Sequence, residues 1–114
     1  MLTVKEKGLL LYIVDHCKRI EEKTKGVSRE EFFNNEDVEE IVCFNLLQIG
    51  ELANKFTTDF LKKYPDVPWE EMRGLRNRIV HGYGSIKIES VWATANEDIK
   101  PLREYCEAIL ELKK

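Results

Sequence analysis

A chain of 114 residues with 34% charged and 43% hydrophobic side chains has room for one domain, 1–114, built on one core. Its longest apolar run, GLLLYIV at 8–14, falls short of the roughly 18 residues that span a bilayer, and the charged start MLTVKEKG does not read as a secretory leader, so no membrane partner and a cytoplasmic location are expected. A formal net charge of −3 argues against holding a long duplex, and three widely spaced cysteines, Cys17, Cys43 and Cys106, fit neither a disulfide framework nor a zinc site and read as buried reduced thiols.

The apolar period is helical almost throughout. Leu9, Ile13, Cys17 and Ile20 mark a first helix, ended by Gly26 and Ser28, with Gly26 suited to a left-handed cap. REEFFNN at 29–35 reads as a turn or a single helical turn that packs Phe32 and Phe33 onto the bundle. Asn35 caps a second long helix with Glu36 and Asp37 in its first turn, where the helix dipole favours acids. Its inward positions are Val38, Val42, Leu46, Ile49, Ala53 and Phe56; Ile41, Cys43, Phe44, Leu47 and Leu52 widen the stripe, as in a central helix or one shared with a second subunit. Thr57 or Thr58 caps a short DFLKKY helix stopped by Pro65. Pro68 opens PWEEMRGLRNRIV, with Trp69, Met72, Leu75 and Ile79 inward and Gly82 and Gly84 beyond its end. A last helix begins after Glu89 or Ser90, buries Trp92, Ala95, Ile99, Leu102, Cys106 and Ile109, and is expected to kink at Pro101. GSIKIES is the one brief hint of a strand. The fold class is therefore all-α, a bundle of four or five helices.

The charge is unevenly spread. Residues 72–88 hold Arg73, Arg76, Arg78 and Lys87 and no acid, a local +4 against −7 for the remainder. A basic patch on an acidic body suits a phosphate. Within it lies RNRIVHGY, 76–83. Cations and glycine at a helix end are also what an ordinary C-terminus prefers, so helix-end electrostatics explain part of the pattern. The spacing adds more. Asn77 and His81 are four apart and share a helix face, Arg76 lies one step round, and Tyr83 follows just past the end.

These residue types suit RNA cleavage by the ribose 2′-hydroxyl. That reaction needs a base for the hydroxyl proton, an acid for the leaving 5′-oxygen and positive charge on the phosphate. A histidine, as at position 81, can serve as base or acid near neutrality, an arginine such as Arg76 grips phosphate with two prongs, and Asn77 can orient the imidazole or donate to a phosphate oxygen. No cofactor and no metal are required. One site holds one histidine, since His16 reads as surface or core edge; a two-fold dimer would bring two His81 and two Arg76 side chains to one cleft. Trp69 and Trp92 read as core. Arg73 and Arg78 are candidates for steering RNA, and Glu51 for tuning His81 from the cleft wall.

RNRIVHGY also matches the Rx4HxY motif of the HepT-like toxins, minimal members of the HEPN superfamily. Arg76, His81 and Tyr83 take its named positions, and Asn77 takes the polar position after the arginine. NLLQIGELANKF resembles the family's "IGE" helix, PWEEMRGLRNRIVHGYGSIKIESVW its signature region and EDIKPLREYCEAI its last helix, so the resemblance covers nearly the whole chain. It implies a HEPN-like homodimer with the motif in the dimer cleft and metal-independent endoribonuclease activity. It further implies a toxin paired with an MNT-type nucleotidyltransferase antitoxin, which neutralises it by transferring AMP units from ATP to Tyr83. The competing expectation is a non-catalytic protein that binds a nucleotide and regulates a partner nucleotidyltransferase; in a third, the basic cluster only caps a helix.

Overall fold

The first four helices each begin where a side chain satisfies an amide that a helix start leaves open. The computed structural model describes residues 1–81 and 87–112, the side chains of residues 80, 81 and 112 excepted. Helix α1, Val4–Thr24, opens on a capping box in which Thr3 Oγ1 accepts from the Glu6 amide at 3.0 Å and the Glu6 carboxylate accepts from the Thr3 amide at 2.9 Å. It ends before Gly26, whose φ of +71° is the left-handed conformation that glycine adopts without strain. A second capping box, between Ser28 and Glu31, starts α2, Arg29–Phe33. This short helix buries Phe32 completely, 5.1 Å from the half-buried Trp92.

Asn35 caps α3, Glu36–Ala53, as expected, its Oδ1 accepting from the Val38 amide at 3.2 Å. Thr57 does the same for α4, Thr58–Lys63, accepting from the Phe60 amide at 3.1 Å. Phe56 and Phe60 stack at 4.3 Å, and Trp69 lies 5.2 Å from Phe56 with its indole N–H donated to the Tyr64 carbonyl. Trp69 opens α5, Trp69–His81, one residue after Pro68. The expected helix-ending Gly82 and Gly84 lie outside the described residues. Ile88–Ser90, from the GSIKIES stretch, are helical, and no strand occurs among the described residues.

The chain then forms α6, Ile88–Ala93, a π-helical turn, Thr94–Asp98, and α7, Ile99–Leu112, as one rod. Just before Pro101, where a kink is expected, the backbone takes a π-helical turn. Proline offers no N–H to the carbonyl four residues back and its ring crowds that carbonyl; the residue there, Glu97, sits within the π-helical turn.

Among the described residues, four long rods and two short helices thus make the all-α bundle. Helix α3 packs between α1 and α5, and α1 also packs along α7. The buried apolar side chains form one cluster, with Leu10, Ile13, Cys17, Ile20, Val42, Val91 and Cys106 fully enclosed. Each such Leu, Ile or Val contributes about 1.5–3 kcal/mol. All three cysteines are buried. Burial, reinforced by the Glu107 charge, pushes the Cys106 thiol up to about 12, and burial raises Cys17 as well, so neither presents a reactive thiolate. Arg103 ties α7 to α1, donating through Nε and Nη2 to Glu21 at 2.5 and 3.1 Å and through Nη1 to Glu107 at 2.7 Å. No described helix is long and apolar enough to cross a membrane.

Candidate functional site

The basic stretch lies on α5 where that helix crosses α3, and the crossing is unusually close. A Cβ built on Gly50 would collide with Cβ of Arg76 and would stand 2.9 Å from the Met72 carbonyl oxygen. Glycine is therefore required here by backbone approach, not by its φ. The contact presses the base of the Arg76 side chain against α3, so the rest of that side chain runs along α3 and meets the next residue, Glu51.

Arg76 Nε donates to Glu51 Oε1 at 2.5 Å, and Nη1 donates to Asn77 Oδ1 at 2.7 Å. The guanidinium is held from two sides, and three of its five N–H groups are not used by these contacts. The Arg76 side chain is 25% exposed and that of Glu51 39% exposed, so the pair sits at a rim open to water. Because Asn77 Oδ1 accepts from Arg76, its amide NH2, the donor end, is the part turned to other partners. Asn77 is exposed, and His81 closes α5 one helical turn later. The His81 side chain and all of Tyr83 lie outside the described residues.

A shallow groove of about 410 Å³ runs beside Asn77, lined by Asn54, Glu70, Arg73, Gly74 and Asn77. Arg73 stands 3.7 Å from Glu70, and its Nε is buried without a hydrogen-bond partner among the described residues. Arg73 and Asn77 thus share one side of α5. Arg78 does not join them. It lies about 200° round the helix from Arg76 and lines a different cavity of about 410 Å³, together with Glu71, Asp98 and the apolar side chains of Leu46, Met72, Leu75 and Ile99. Burial, with Glu97 and Glu71 nearby, raises the Asp98 carboxyl. The arginines selected from the sequence therefore divide between two surfaces.

Glu51, a candidate for tuning His81, is hydrogen-bonded to Arg76 on the neighbouring helix; the His81 side chain it would tune lies outside the described residues. The sequence marks the carboxylate without naming Arg76 as its partner, and it marks Gly50 only as a member of the IGE stretch and as a glycine inside an otherwise strong helical pattern, without the close approach that requires it. His16 is half-buried, with Nδ1 2.8 Å from Asn45 Oδ1, and Asn45 donates to the Ile41 carbonyl. That pairing places it on the α1–α3 side, away from Arg76. Among the described residues no three His, Cys, Asp or Glu side chains converge in a way that would hold a metal ion.

The outer side of α3 continues from Glu51 as an apolar strip. Phe44 is 55% exposed, and Ile41, Leu47 and Leu52 beside it are half-buried. Positions 44, 47 and 51 follow one line along the helix.

Comparison with known proteins gives a consistent picture. A family model described as HepT-like, ribonuclease HepT-like, matches residues 13–109. "Putative RNase MJ1380" of Methanocaldococcus jannaschii is 34% identical over 103 residues, covering 90% of this chain and 94% of that protein. "Probable ribonuclease HepT" of Thermococcus cleftensis is 31% identical over 97 residues, covering 85% and 88%. "Putative RNase TTE0752" of Caldanaerobacter subterraneus is 29% identical over 105 residues, covering 92% and 94%. No solved structure matches the chain.

Proposed function

The chain belongs to the HepT-like ribonuclease family of the HEPN superfamily, and from that premise we propose that it is an endoribonuclease toxin whose cleavage site is built from the Rx4HxY stretch. The observation that carries this reading is the Arg76 guanidinium, pinned between Glu51 and Asn77 at an open rim, with Asn77 one helical turn before His81. Arg76 binds the scissile phosphate and offsets the charge that develops on its equatorial oxygens. His81 transfers protons. The 2′-oxygen bonds to phosphorus as its proton passes to a base, and the bond to the 5′-oxygen breaks as that oxygen takes up a proton, leaving a 2′,3′-cyclic phosphate and a 5′-hydroxyl. Asn77 positions the group it faces through its amide NH2, and Arg73, on the same side of α5, draws RNA along the groove. The positive charge on the phosphate comes from arginine, so the reaction runs without a metal.

With one motif histidine per chain, a single imidazole does not reach both the attacking 2′-oxygen and the leaving 5′-oxygen, which lie on opposite sides of the phosphorus in an in-line displacement, so a second copy supplies the other group. The reading therefore includes a homodimer with two copies of the motif in one cleft. The apolar strip through Ile41, Phe44 and Leu47 supports it, because an exposed apolar strip beside a polar site fits subunit contact, and this strip leads directly to Glu51 and Arg76. The proposed partner in the cell is an MNT-type nucleotidyltransferase antitoxin. AMP groups transferred from ATP to Tyr83 add phosphate charge and bulk beside the site, where they compete with RNA for Arg76.

The test is cleavage of RNA by purified protein in the presence of a chelator. Wild type is expected to release products ending in 2′,3′-cyclic phosphate, and His81→Ala and Arg76→Ala to lose roughly 100-fold or more of the rate while keeping helicity and melting temperature. Alanine variants as active as the wild type would refute the assignment. A wild type that binds ATP or AMP yet cuts no RNA at any concentration would favour the nucleotide-binding alternative.

A further inference from the structure

We propose that Glu51 is the positioning residue for Arg76, that Gly50 makes its action possible, and that the carboxylate sets both the aim of the guanidinium and the strength with which it holds RNA. The inference rests on the ribonuclease reading above and assigns to Glu51 a role at Arg76, not at His81.

The argument begins with the backbone. At Gly50 the two helices approach so closely that Cβ of Arg76 occupies the space where a side chain on α3 would begin. An arginine anchored there has one short path to water, along the surface of α3 past position 51. Glu51 stands on that path and accepts from Nε at 2.5 Å. Nε is the guanidinium nitrogen nearest the aliphatic chain. Fixing it fixes the plane of the whole group, and the contact from Nη1 to Asn77 fixes its rotation. The N–H groups not engaged by these two residues are then presented in a constant direction, which a two-pronged grip on phosphate requires. A free arginine side chain would have to be ordered by the substrate in every turnover.

The same carboxylate has a second effect. It lies against the cation that receives the phosphate, so it lowers the net attraction for any anion. Orientation and charge can be separated by substitution. Glutamine retains an oxygen that accepts from Nε and loses the charge. Alanine loses both. Aspartate retains the charge on an arm one methylene shorter, which draws it back from Nε.

Four proteins should be compared under one set of conditions: wild type and the Glu51→Ala, Glu51→Gln and Glu51→Asp variants. Glu51→Ala is expected to lower kcat about 10- to 100-fold, the scale associated with a misplaced catalytic group. Glu51→Gln should restore most of that loss and show a lower KM for RNA than the wild type, because the competing charge has gone. Glu51→Asp should resemble alanine in kcat. A carboxylate that merely braced the fold would shift the melting temperature and leave the split between kcat and KM unchanged. The inference is overturned if Glu51→Ala matches the wild type in kcat and KM, or if glutamine is no better than alanine.

Failure of the ribonuclease reading would look different: the wild type and all variants would cut no RNA. Glu51 is then judged by the Nε–H resonance of Arg76, assigned by its loss in Arg76→Lys. Slow exchange with water in the wild type and in Glu51→Gln, with fast exchange in Glu51→Ala, supports the positioning role. Equal exchange in wild type and Glu51→Ala overturns it.

Discussion

Replacing Gly50 by alanine adds one methyl group at the crossing of α3 and α5, and two opposing effects decide the result. Alanine in a helix interior is more favourable than glycine by about 0.8–1 kcal/mol. The new methyl, however, would collide with Arg76 Cβ and lie 2.9 Å from the Met72 carbonyl oxygen and 3.0 Å from Arg76 Cγ. Those atoms are backbone or the root of a side chain, so relief requires the helices to part. Overpacking of this kind costs about 1–3 kcal/mol. The balance is a net loss of up to about 2 kcal/mol, and each kcal/mol moves the melting temperature of a domain near this size by about 4–8 °C. Gly8 in α1 is the control, since a Cβ there has nothing within 4 Å. Gly8→Ala gains the helix propensity unopposed and should raise the melting temperature by about 4–8 °C. The assay is thermal unfolding followed by circular dichroism at matched protein concentration. If both alanines raise the melting temperature equally, the crossing yields without cost and the account of Gly50 as an obligatory contact is wrong.

Two further predictions concern charged groups away from the motif. Burial, with Glu36 and Glu40 alongside, raises the carboxyl of Glu39, so the folded chain binds that proton more tightly than the unfolded chain. The penalty for holding it ionised is therefore present at neutral pH and is relieved as pH falls through the raised value into the ordinary carboxylate range. Glu39→Gln should increase stability at pH 7, with the gain shrinking on acidification; a gain independent of pH would contradict the cause assigned. Arg103→Met should weaken the tie between α1 and α7 by about 1–2 kcal/mol, a modest figure because Glu21 and Glu107 remain partly hydrated. A double-mutant cycle with Glu21→Ala measures the coupling directly, and zero coupling would show the pair to be energetically idle.

Much of this arrangement is legible in the order of residues because helices are written locally. Type and position mark Asn35 as one cap and Thr57 or Thr58 as another, and Asn35 and Thr57 each accept the amide three residues on. Gly26 ends α1 with the positive φ its place implied. Leu9, Ile13, Cys17 and Ile20 lie inside because their spacing keeps them on one face. What escaped depends on contacts between helices. Arg103 pairs with Glu21 across 82 positions, and no periodicity connects them. Glu51 meets Arg76 because α3 and α5 cross at Gly50, and the crossing is set by the shapes of both helices together. The division of Arg73 from Arg78 follows from which side of α5 faces α3, which the sequence leaves open until a neighbour is known. The π-helical turn was missed for a related reason: proline signals disruption without fixing where the backbone absorbs it.

That turn also sets the phase of the final rod. Val91, Ala95 and Ile99 succeed one another at intervals of four, and an unbroken α-helix would let them creep steadily round its axis. A wider turn, bonded i to i+5, rotates less for each residue added and holds back the creep, so the three remain aligned on the core and deliver Leu102, Cys106 and Ile109 to the same seam. The extra residue between Thr94 and Asp98 thus works as a gear tooth. Losing it would turn the seam of α7 out of mesh with α1, although every side chain on α7 kept its identity.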